Sequence, residues 1–109
     1  MGFGQKLKNA SVEGKEKHVP AIEVSGTTVK VIVGKEVAHP NTVEHHIAWI
    51  KLFGVKKENS QLVEIASAQF GPTYVKPTIT AELAGGEYSE LIALEYCNLH
   101  GVWENSVTL

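Results

Sequence analysis

Five side chains in this 109-residue sequence could converge on one metal ion: His18, His39, His45, Cys97 and His100. Cys97 is the single cysteine, and His100 follows it by three positions with Gly101 next. One thiolate with several imidazoles is a mixed soft and borderline ligand set. It suits a redox-active transition metal better than calcium or magnesium. The Cys-x-x-His spacing fits a tight turn that aims two side chains at one ion, and Gly101 permits an unusual φ there. His39-Pro40-Asn41 is a turn signature leading into the segment that begins at His45. His18 stands in Glu16-Lys17-His18-Val19-Pro20, where Pro20 keeps Val19 extended. On an extended segment Glu16 and His18 share a face and Lys17 points away. If all three serve one site, this stretch must be an irregular loop, which Gly14 allows.

The elements that would position these residues read as strands from Lys17 onwards. Thr27 to Val33 is β-branched and partly alternating, bounded by Gly26 and Gly34. His45 to Phe53 has one face carrying His45, Ile47, Trp49 and Phe53 and the other carrying His46, Ala48, Ile50 and Leu52. Both faces are largely apolar, as for a strand inside a sandwich. Lys56 to Ser60 is a polar turn, and Leu62 to Phe70 is its returning partner. Thr73 to Leu83 follows, with Pro77 marking an edge or bulge. Ala84 to Glu87 is a second turn, and Glu90 to Cys97 and Val102 to Leu109 close the set. Several short strands with no long 3.6-residue period predict an all-β, antiparallel β-sandwich. The first dozen residues predict a short arm containing a helical turn.

The length and the 43% hydrophobic content suit one domain with one core. A formal net charge of −2 gives no global attraction for nucleic acid or an anionic membrane. A lone cysteine cannot make an intrachain disulfide. No apolar stretch approaches the roughly 18 residues of a membrane span. The N-terminal residues lack the apolar run of a signal peptide, so a cytoplasmic, reducing location is expected.

Each candidate also has an ordinary reading. Single histidines are commonly surface or satisfied core residues, a lone cysteine is commonly a small buried hydrophobe, and Glu16 and Lys17 could be solvated charges. A cupredoxin-like electron carrier would use Cys97 with two histidines, but its usual axial methionine is missing, because Met1 is the only methionine. A structural zinc site with Cys97 and three histidines would leave one histidine, Glu16 and Lys17 without a role. An immunoglobulin-like interaction module with incidental histidines is the non-enzymatic alternative.

Three segments carry a family resemblance: Glu16-Lys17-His18-Val19-Pro20, the run from His39-Pro40-Asn41 to His45-His46-Ile47-Ala48-Trp49-Ile50, and Cys97-Asn98-Leu99-His100-Gly101-Val102-Trp103-Glu104. Their order and content resemble the superoxide reductases of the one-iron, neelaredoxin type. The resemblance implies an immunoglobulin-like β-sandwich holding a mononuclear non-haem iron that cycles between Fe2+ and Fe3+. His18, His39, His45 and His100 would be equatorial ligands and Cys97 the axial thiolate, with the position opposite sulfur open in the ferrous state. Glu16 would occupy that position in the ferric state, and Lys17 would attract superoxide and promote protonation by orienting water. The implied reaction is one-electron reduction of superoxide to hydrogen peroxide. The implied partners are a rubredoxin-like electron donor and further copies of the chain in a tetramer. On this reading residues 1–15 form an arm of the same domain, and residues 16–109 form the single iron-binding sandwich. His46, on the face opposite His45, would be an outer partner or a core residue.

Overall fold

The alternation of apolar residues along this chain produces two antiparallel sheets packed face to face. The computed structural model describes residues 2–13 and 17–109. One sheet has three strands in the order β1 (Ala21–Ser25), β2 (Thr28–Ile32), β5 (Thr78–Glu82). The other has four in the order β4 (Leu62–Gln69), β3 (Ile47–Lys56), β6 (Tyr88–Cys97), β7 (Gly101–Thr108). The seven strands pair antiparallel throughout both sheets. The all-β sandwich is as expected. The core between the sheets holds Val29 and Val31 of β2, Val33, Ile47, Ile50 and Leu52 of β3, and Leu91, Ala93 and Cys97 of β6. Inner residues on β6 recur at every second position, as the two-residue period of a strand requires.

Four details differ from the sequence expectations. Strand β1 was not singled out in the sequence, although it pairs with β2 from Ala21↔Ile32 to Ser25↔Thr28. Strand β3 begins at Ile47, so His45 and His46 lie in the preceding loop, and alternation at His45 does not decide where His46 faces. The β3–β6 register shifts between Ile47 and Trp49, which moves the buried set from Ile47 to Ile50 and Leu52. Strand β5 is short: it starts after Pro77, whose carbonyl accepts from Val33 N–H at 3.0 Å, while Gly71 to Val75 is a turn. Proline has no N–H to give a ladder, so pairing begins beyond it.

The arm consists of two short 3₁₀ turns, Phe3–Lys6 and Ala10–Val12. Between them Lys8 makes a parallel bridge to Trp103, with Lys8 N–H donating to Val102 O (3.1 Å) and Glu104 N–H donating to Lys8 O (2.8 Å). The arm thereby covers part of the free edge of β7. Among the described residues no helix is long and apolar enough to cross a membrane.

Candidate metal centre

The candidate ligands come from three places at one end of the sandwich. His18 sits in the bend before β1, His39 and His45 in the loop joining β2 to β3, Cys97 at the last position of β6, and His100 at the end of the β6–β7 turn. Two glycines allow this. Gly34 has φ +85°, and a Cβ there would lie 2.7 Å from His39 N, so only glycine lets the loop double back at His39. Gly101 has φ +88°, which is the left-handed turn residue anticipated beside His100.

The four imidazoles form a closed ring. Centroid separations are 4.8 Å for His18–His39, 4.7 Å for His39–His45, 5.0 Å for His45–His100 and 5.0 Å for His18–His100. Each ring is steeply inclined to its neighbours, at 69° to 79°. The ligand atoms of His18, His39, His45 and Cys97 all lie within 4.8 Å of one another. His100 is outside that tight group, but its Nδ1 is 3.7 Å from Cys97 Sγ. The thiol is fully buried and belongs to the core, so it approaches the imidazole ring from the interior.

Among the described residues, the nitrogens that face this centre have nothing else to bind: Nε2 of His18, His39 and His45 is buried without a hydrogen-bond partner. Unpaired buried polar atoms are rare and mark a missing ion, water or function. The opposite ring nitrogens of two of these histidines are engaged. His18 Nδ1 is 2.6 Å from Glu13 Oε2, and His39 Nδ1 is 2.7 Å from Pro40 O. That is how metal-binding imidazoles are oriented, with the outer nitrogen held and the inner lone pair free. Burial drives the His39 imidazole down to about 4 against the opposing Pro40 carbonyl, helped by the charges of His18, His45 and Lys17. His18 and His45 are also lowered, burial again being the largest cause. Neutral imidazoles are what a metal needs. The donor set therefore fits a metal ion. A ring of four imidazoles with one thiol exceeds the tetrahedral set of structural zinc and the two-histidine, one-cysteine set of blue copper.

Lys17 is half-buried, and its charge contributes to the lowering of His18, His39 and His45. Glu16 lies outside the described residues. His46 is half-buried; its backbone N–H donates to Asn98 Oδ1 at 2.8 Å, and its Nδ1 is buried without a partner.

Several contributors were not legible as site residues. Glu13 reaches forward to His18, and Lys8 of the arm donates from Nζ to His100 O at 2.9 Å. Trp103, two positions beyond Gly101, stacks on His18 at 4.8 Å and 12° and donates from Nε1 to His100 O at 3.2 Å. The order of Lys8 and Glu13 ahead of the His18 motif carries no local pattern that distinguishes them from solvated charges. Asn98 joins two ligand loops: its Nδ2 donates to Glu44 O (2.9 Å) while its Oδ1 accepts from His46 N–H. Asn98→Ala removes both bonds and is expected to cost about 1–3 kcal/mol. Urea unfolding checks this, and an unchanged midpoint would show that the two loops hold together without the clamp.

The desulfoferrodoxin family model matches residues 10–106. The chain belongs to the desulfoferrodoxin family. Curated relatives agree with this placement. The chain is 41% identical over 114 residues to a superoxide reductase of Thermococcus kodakarensis, covering 98% of each chain. It is 38% identical over 110 residues to a neelaredoxin of Megalodesulfovibrio gigas, covering 84% of this chain and 85% of that one. Among solved structures, the one-iron superoxide reductase of Giardia intestinalis superposes with a TM-score of 0.81 at 41% identity, covering 87% of this chain and all of that one. A reduced neelaredoxin of Archaeoglobus fulgidus gives 0.78 at 39% identity, covering 94% and 97%. This desulfoferrodoxin-family chain thus shares both sequence and fold with proteins named for superoxide reduction.

Proposed function

We propose that this chain is a superoxide reductase that converts superoxide to hydrogen peroxide at a mononuclear non-haem iron held by His18, His39, His45, His100 and Cys97. The observation that carries this reading is the closed ring of four imidazoles, three with buried unpartnered Nε2 atoms, over one buried thiol. A cupredoxin-like carrier is disfavoured, because blue copper calls for two histidines and a weak axial ligand.

Superoxide must gain one electron and two protons to become hydrogen peroxide. Iron, when bound, supplies that electron by passing from Fe2+ to Fe3+. The rest falls to the chain. His18, His39, His45 and His100 would hold the ion through ring nitrogens, and His18 and His39 are already oriented for this by the partners of their outer nitrogens. Cys97 would hold the ion from the core side and supply thiolate electron density, as in thiolate-ligated haem. Lys17 supplies local positive charge to a chain whose net charge is −2, which favours encounter with superoxide. It also orients water to deliver protons to the reduced oxygen. Glu16 would supply a carboxylate ligand to the oxidised ion. The electron is replaced by a rubredoxin-like donor, and the chain works in the cytoplasm as a tetramer, with residues 1–15 an arm of the one domain.

A pulse of superoxide on the reduced, iron-loaded protein should yield one hydrogen peroxide per iron oxidised and no oxygen. Substantial oxygen release would mean dismutation and would overturn the assignment. Lys17→Ala should lower the second-order rate by roughly tenfold at low ionic strength, with the difference shrinking at high salt. Stopped-flow kinetics across a salt series makes the comparison.

A further inference from the structure

We propose that Glu13 is a positioning residue that fixes the tautomer of His18 and so presents the His18 Nε2 lone pair to the metal. The inference rests on the metal-site reading above. Glu13 lies upstream of the Glu16–Pro20 motif and has no place in it. Its Oε1 accepts from the backbone N–H groups of Lys17 (2.8 Å), His18 (2.7 Å) and Val19 (3.3 Å). Its Oε2 lies 2.6 Å from His18 Nδ1. Three backbone N–H donors converging on Oε1 stabilise the ionised carboxylate, and an ionised carboxylate has nothing but acceptor sites, at Oε2 as at Oε1. The fourth contact then requires the proton on Nδ1. Nε2 is left as the lone-pair nitrogen, buried and without a partner beside His39, His45 and Cys97.

The ring has little freedom to escape this arrangement. Trp103 stacks on one face of His18, and the edges of His39 and His100 flank it. His39 obtains the same orientation from the neutral carbonyl of Pro40. Glu13 differs in bringing a full negative charge to the outer nitrogen, which raises the basicity of the inner one. The same side chain also folds the chain back onto Lys17–Val19, so loop anchoring and tautomer selection are two separable jobs of one carboxylate.

Glu13→Gln separates them. If the amide oxygen of glutamine keeps the three backbone donors, its NH2 group faces His18 Nδ1. That contact favours an unprotonated Nδ1 and puts the proton on Nε2, where it blocks metal binding. Turned the other way, the NH2 group meets three backbone N–H donors. Long-range 1H–15N NMR on the full metal-free chain should show His18 protonated at Nδ1 in the wild type and at Nε2, at least in part, in Glu13→Gln. Chelator competition with Fe2+ and Co2+ should show affinity reduced about 10- to 100-fold in both Glu13→Gln and Glu13→Ala. Wild-type affinity and tautomer in Glu13→Gln would reduce Glu13 to a loop anchor and overturn the proposal. So would an Nε2-protonated His18 in the wild type, a result that needs no variant to fold. If the wild type binds neither ion, the metal-site reading fails, while the tautomer comparison still decides the role of Glu13.

Discussion

Cys97→Ser should abolish the blue sulfur-to-iron charge-transfer absorption of the oxidised, iron-loaded protein and remove its superoxide reductase turnover. The thiol is fully buried in the core, 3.7 Å from His100 Nδ1 and grouped with His18, His39 and His45. Serine keeps the approximate shape but offers a poor, hard ligand where a soft thiolate is required. The loss in iron affinity should exceed the roughly 10- to 100-fold penalty of deleting an outer hydrogen-bond partner. Visible absorption and iron content of the purified variant measure both effects. Survival of the colour would show that sulfur is not bound to the metal. The variant should still fold, because the rest of the core is apolar and comes from both sheets.

Glu95 should make the metal-free protein less stable as pH rises, and Glu95→Gln should remove that loss. Glu95 is 0% exposed on the inner face of β6, two positions before Cys97 and opposite Ile50 and Trp103. Neither carboxyl oxygen has a hydrogen-bond partner among the described residues. Burial, reinforced by the charge of Glu13, pushes this carboxyl up to about 9. A group whose folded value exceeds its unfolded one favours the fold when protonated. Its contribution is complete below the ordinary glutamate value and is lost as pH rises towards about 9. The lowered site histidines act in the opposite sense, losing stability as pH falls through the range from their ordinary value of 6.5 downwards. Above neutrality they no longer contribute a slope, so Glu95 dominates. Urea unfolding between pH 7 and 9 should therefore fall by about 1.4 kcal/mol per pH unit in the wild type and stay nearly flat in Glu95→Gln. Equal slopes in the two proteins would place the effect elsewhere.

The candidate ligands were legible because their chemistry is carried by residue type and chain order, and the family resemblance joined them into one set. A single cysteine, a histidine three positions on, a glycine able to turn, and a histidine beside a proline are local facts that survive without coordinates. The β-sandwich was legible for a related reason: short β-branched runs between turns leave few other ways to bury a core. Two boundaries were less visible. The start of β3 after His46 and the late start of β5 depend on where a partner strand can pair, and Pro77 and the register shift near Ala48 act only once that partner is present.

By itself the sequence determined which side chains could hold a metal, in what order they arrive, and that strands must carry them. The tertiary structure alone decided that four imidazoles close into one ring over a core thiol. It also decided that Glu13, Lys8 and Trp103 brace that ring and that Glu95 is buried with no partner among the described residues. Ligand identity is a property of single residues, whereas orientation, burial and protonation depend on neighbours that only folding brings together: Lys8 meets His100 from the far end of the chain. Cys97 is a ligand candidate from its type, and the sandwich sets it beneath the histidines.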